Sequence, residues 1–232
     1  MLLFSLFAIT STPACTDNYP ECEPVDTDVD VHVSFTFDLV PPGGERTDFL
    51  STCTVSSIDE TGDTTVLELE CLAPDGGTEG HTYSISNRPA VPLDLFEGET
   101  VTVAYTAWWA VIPLVEWLII RDAHGEVVIA STNGSLELPD EPGWYDPLEV
   151  SVVEGLCPAR EDLYDCCAVE RQAIDIRYGN DEVRVSDGRY GTVGGSTSYT
   201  VLVARAYRYL EPYSCTDQPP FWHAVAIIRN AP

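Results

Sequence analysis

Two runs, FLSTCTVSSI (49–58) and TTVLELECLA (64–73), flank the acidic turn DETGD (59–63), and their pairing decides the fold. Each run alternates apolar and polar residues with a period of two, the signature of a half-buried strand. A hairpin centred on Gly62 sets Cys53 against Cys71, Val55 against Leu69 and Ser57 against Leu67. It also sets Thr54 against Glu70 and Ser56 against Glu68. One face is apolar and the other polar, as an antiparallel pair with one wet face requires. Directly opposed residues have Cβ atoms about 4.5–5.5 Å apart, close to disulfide geometry. Pairing the cysteines fixes this register, and the sorting of side chains that follows supports a Cys53–Cys71 bridge.

Outward from this hairpin the same period recurs. Val31, Val33, Phe35 and Phe37 alternate with His32, Ser34, Thr36 and Asp38, and Pro41-Pro42-Gly43-Gly44 closes that strand. Val101, Val103 and Tyr105 form one face of another. Residues 117–121 and 126–130 flank the turn Asp122-Ala123-His124-Gly125, which sets Arg121 against Glu126. Strands are expected at 148–153, 174–178, 183–186, 199–209 and 221–229, and a single helix at 158–172, with Pro158 in its first turn and Glu161-Asp162 near its positive end. Many short strands between turns predict an all-β antiparallel sandwich. The Pro- and Gly-rich stretch 134–147 divides it into units 31–140 and 141–232, which can also share one sandwich.

The chain start reads as a targeting segment. MLLFSLFAI (1–9) is too short to span a bilayer, small residues follow, and Cys15 comes next. Thr12-Pro13-Ala14-Cys15 resembles a bacterial lipobox, with Thr12 where the pattern usually has Leu. The resemblance is to exported bacterial lipoproteins with an acidic tether and a disulfide-bonded β domain. It implies a signal peptide at 1–14, lipid attachment at Cys15, an acidic tether at 15–30 and a location at the outer face of a membrane. Cleavage after Ala14 without acylation gives a secreted form; a buried N-terminal strand is the third reading.

The charge is extreme: 38 acidic residues against 11 basic ones, all Arg, for a net −27. Such a field repels phosphate backbones and excludes nucleic acid as a partner. A solvated acidic surface suited to high salt is preferred over attraction of cations or basic partners.

Eight cysteines fall at 15, 22, 53, 71, 157, 166, 167 and 215, with no zinc-type spacing. In an exported chain they read as a disulfide framework, with Cys157, Cys166, Cys167 and Cys215 forming two bridges whose pairing stays open. No cofactor is implied. Asp26, Asp28 and Asp30 are a weak calcium candidate, since hard cations want clustered carboxylates, but the Gly and distal Glu of an EF-hand loop are missing. Trp108 and Trp109 are candidates for stacking on a sugar ring or a protein partner; burial in the core is the competing reading. GxSxG and HExxH are absent. The expected function is a non-catalytic binding or structural module of the cell envelope, with extracellular protein or glycan as partner. The rivals are an extracellular hydrolase whose triad is assembled in space, and a calcium-dependent adhesion or carbohydrate-binding module.

Overall fold

The computed structural model describes residues 28–36, 47–62, 64–72, 78–109, 113–134, 145–160, 168–209 and 221–232. Thirteen strands make up these residues, with no helix among them. They are β1 (Asp30–Thr36), β2 (Thr47–Thr61), β3 (Thr64–Leu72), β4 (Thr78–Arg88), β5 (Thr100–Trp109), β6 (Pro113–Arg121) and β7 (Val127–Gly134). Then come β8 (Leu148–Arg160), β9 (Ala168–Tyr178), β10 (Asp181–Ser186), β11 (Arg189–Gly194), β12 (Ser198–Tyr209) and β13 (Phe221–Arg229). All pair antiparallel, in the order β1-β4-β3-β2-β5-β6-β7-β13-β12-β9-β10, with β11 beside β12 and β8 beside β9.

The Cys53–Cys71 bridge is present, and Val55 opposes Leu69 as expected. Beyond Val55 the expected register fails. Ser57 opposes Glu68 and Ile58 opposes Leu67, because the hairpin closes with Thr61 opposite Thr64. A two-residue turn and a Cys53–Cys71 pair differ in parity, and one extra residue in β2, a β-bulge, reconciles them. The slip places Ile58 rather than a serine over Leu67, and the Ser57 hydroxyl donates to Glu68 Oε2 at 2.7 Å. Gly62 takes φ +65°, a conformation that side chains resist.

The expected helix at 158–172 is also corrected. Pro158 opposes Glu170, Ala159 opposes Val169 and Arg160 opposes Ala168, so both ends of that segment are strand. Its Pro-first, acid-early start fits a helix N-terminus, but pairing with β8 decides the outcome. At the β6–β7 turn a bulge sets Arg121 opposite Val127 instead of Glu126. Arg121 donates to the carbonyls of Gly125 and Asp146, each at 2.9 Å.

The middle of the sheet is buried on both faces. Leu118, Ile120, Val128, Ile129, Leu202, Ala226 and Ile228 belong to one core, shared with Val31, Cys53, Val55, Leu67, Leu69, Val101 and Val103. Trp117, Ile119, Val127, Ala130, Val201, Val203, Val225 and Ile227 belong to a second, covered by Leu148, Ile174, Ile176 and Val185. Strands with two buried faces lose alternation and read as continuous apolar runs. This explains VLV at 201–203 and VVIA at 127–130, all buried. β1 closes the first core by lying across β6, β7, β12 and β13, and β8–β9–β10 cover the second. Residues before and after the 134–147 stretch share the sheet, since β7 pairs with β13.

Candidate functional site

Among the buried polar side chains, three groups link separate elements of the fold. The first is a fork. β9 pairs with β12 only at 169–171 and then turns to β10 from Ala173 onward, while β12 pairs with β11 up to Val203. The opening leaves the Gln172 carbonyl and the Ala206 N–H without ladder partners. The β10–β11 turn fills it: Asp187 N–H donates to the Gln172 carbonyl at 3.2 Å, and Ala206 N–H donates to Asp187 Oδ1 at 2.8 Å. Arg171 Nε lies 3.6 Å from Asp187 Oδ2. A buried main-chain group must find such a partner or cost about 1–3 kcal/mol.

The second place is below the fork, on the second-core face. Ala206 stands between Gln172 of β9 and His223 of β13, and its small side chain lets them meet across it. His223 Nε2 and Gln172 Oε1 are 2.8 Å apart, and each residue is 1% exposed. Next to them Arg208 Nε donates to Glu170 Oε2 at 2.6 Å. Thr132 Oγ1 donates to the His223 carbonyl and Ser131 Oγ to the Val225 carbonyl, each at 3.1 Å, tying β7 to β13. An amide neither takes nor gives protons at ordinary pH, so the His223–Gln172 contact holds the ring rather than activating it.

The third is Arg229 at the end of β13. Its Nη1 donates to Asp122 Oδ2 at 2.7 Å, and Glu126 Oε2 lies 3.5 Å from the same nitrogen. Its Nε is 2.7 Å from Asp94 Oδ2, an ion pair not aligned as a hydrogen bond. Burial works to raise the Asp122 pKa. The Arg229 hydrogen bond, two backbone N–H groups and the guanidinium charge outweigh it, so the carboxyl sits below its ordinary value. The Arg229 pKa is raised: burial opposes this, and the Asp122 and Asp94 carboxylates prevail. Tyr199, opposite Arg229 in the register, is pushed up to about 12 by burial, which outweighs the opposing effect of the Arg229 guanidinium.

The candidates from sequence lie elsewhere. Cys15, Cys22, Asp26, Cys166, Cys167 and Cys215 fall outside the described residues, as does the side chain of Cys157, whose backbone opposes Arg171. Trp108 and Trp109 end β5, opposite Leu114 and Pro113, and their side chains are also outside the description. Asp28 is exposed, and Asp30 Oδ1 lies 2.9 Å from His32 Nε2. Among the described residues no group of three or more His, Cys, Asp or Glu side chains is gathered to hold a metal ion. His32 and His124 are exposed on separate elements, whereas His223 is buried. Sequence reasoning missed Asp187, Gln172 and Arg229; the available signal was a polar residue within or just after an apolar strand. Trp109, Pro113, Gly134, Arg160, Ala168, Tyr209 and Phe221 share one end of the sheet, as their registers show. No protein-family model, curated protein or solved structure matches this chain.

Proposed function

We propose that this chain is an exported, lipid-anchored protein of the cell envelope that works as a non-catalytic binding or structural module. The observation that carries the reading is the use of its buried polar groups. Asp187, Gln172, His223 and Glu170 tie strands to one another and Arg229 ties β13 to the β6–β7 turn, inside a body clamped by a buried disulfide. Such a bridge is compatible with an extracellular or periplasmic location. The proposed binding end is the one where β5 finishes at Trp109, since rigid strands there can present Trp108 or Trp109 to a sugar ring or a protein.

The test is a glycan and peptidoglycan binding screen on the protein lacking residues 1–22, with Trp108→Ala and Trp109→Ala alongside. Retained binding in both variants would move the site elsewhere, and turnover of an ester or peptide substrate would replace the module with an enzyme. The anchor is read separately from intact mass. Membrane-extracted protein should begin at Cys15 and exceed the peptide mass by its acyl groups.

A further inference from the structure

Among the described residues, two wet sheet faces treat charge in opposite ways. On β8–β9–β10 the carboxylates are compensated. Arg177 bridges Glu149 at 3.2 Å and Glu182 at 3.0 Å, and Arg184 grips Asp175 with Nε and Nη2 at 2.7 and 2.6 Å. On β2–β3 they are not. Asp59, Glu68 and Glu70 are exposed on the outer side, and none has an arginine partner among the described residues, where the first arginine along the chain is Arg88. The short bonds there come from neutral hydroxyls, Ser57 to Glu68 and Thr61 to Asp59, each at 2.7 Å.

The same face carries two leucines that a wet face does not call for. Leu50 is 74% exposed and Leu72 is 58% exposed. Cys53 and Cys71 are opposed and point inward, so Leu50, Thr52, Thr54, Glu68, Glu70 and Leu72 share the outer side. Diagonal neighbours on such a face lie about 7–8 Å apart, within reach of one partner segment. Scattered surface leucines are ordinary; here they adjoin an uncompensated run of carboxylates.

We propose that the outer face of β2–β3 is a docking surface for a basic polypeptide segment that also carries apolar side chains. The arginines or lysines of the partner answer Glu68 and Glu70, and its apolar residues cover Leu50 and Leu72. Charge decides against a second copy of this chain, whose matching face is equally acidic. The surface is independent of the Trp108–Trp109 end.

The experiment uses the full chain and two labelled fourteen-residue probes, one of alternating Lys and Leu and one of alternating Lys and Ser. Binding is followed by fluorescence anisotropy at 20 and 150 mM NaCl. The Lys-Leu probe should bind, and Leu50→Ser with Leu72→Ser should weaken it about ten-fold or more, the scale of burying two leucines. Glu68→Gln with Glu70→Gln should weaken it and flatten its salt dependence, whereas Glu149→Gln with Glu182→Gln should change neither. All substituted positions are exposed, and an unchanged melting temperature confirms folding. Equal binding of the Lys-Ser probe, indifference to the leucine variant, no binding at all, or a dimer by light scattering would each overturn the proposal.

Discussion

Replacing Arg229 with Ala probes the tie at the end of β13 most directly. The substitution removes the guanidinium that meets Asp122, Asp94 and Glu126 and leaves the Asp122 carboxylate buried. Breaking a buried pair by deleting one partner costs about 3–5 kcal/mol. At this chain length that is a melting-temperature loss of about 6–20 °C. The pH dependence supplies a second check. In the wild type the Asp122 pKa lies below its unfolded value of about 3.9, so its contribution is complete above that pH. It is lost as pH falls through the lower folded value. In the variant only two backbone N–H groups oppose burial, so the folded pKa rises and acid relieves the buried charge. The stability gap between the two proteins should therefore be widest at pH 7 and narrow toward pH 3. Urea unfolding followed by tryptophan fluorescence at pH 7, 5 and 3 measures it. A gap under about 1 kcal/mol at pH 7, or one that does not change with pH, would refute the reasoning.

Asp187→Ala should cost about 1–3 kcal/mol by stranding the Ala206 N–H at the fork, with hydrogen exchange at Ala206 accelerated more than at Val201. Gly191→Ala should lose about 1–3 kcal/mol, because a Cβ there would stand 2.9 Å from a Val183 methyl and 3.0 Å from one of Val185; adding Val183→Ala should recover part of the loss in the same urea titration. The Cys53–Cys71 bridge, 1% exposed at each end, should resist dithiothreitol until denaturant is added, and Cys53→Ala with Cys71→Ala should cost about 3 kcal/mol; rapid reduction under native conditions would contradict its burial. Raising NaCl from 0.1 to 1 M shortens the screening length from about 10 to 3 Å and should raise the melting temperature of a chain with net charge −27, as calorimetry can show.

Much of the fold was legible because strand period is a local property. The β2–β3 hairpin, its disulfide and the limits of β13 follow from residues close in sequence. What escaped had causes that the period of one strand does not carry. Whether 158–172 forms helix or strand was decided by its two ends pairing with each other, Pro158 with Glu170 and Arg160 with Ala168, and a helix-start signal at Pro158 takes no account of that pairing. The bulge after Val55 arises from a conflict between turn parity and the disulfide, which the alternation alone does not reveal. The double burial of β6, β7, β12 and β13 erased their period, so those runs announced apolarity without saying that two cores share it. The Arg229, Asp187 and Gln172 ties were hidden for a related reason. Each is one polar residue whose partner lies on another element of the chain, such as Asp122 in the β6–β7 turn for Arg229.

The place of β13 has a consequence for the order in which this molecule can be assembled. It is the last of the described strands to leave the ribosome, yet it lies mid-sheet between β7 and β12, with Ala226 and Ile228 in one core and Val225 and Ile227 in the other. Until Phe221–Arg229 arrives, β7 has an open edge, β12 has no inner neighbour and neither core can close. The preceding strands must therefore wait in an incomplete state, and a long-range pairing completes the sheet. A chain truncated before Phe221 would lack the seam that joins its two halves, whatever the quality of the hairpins already made.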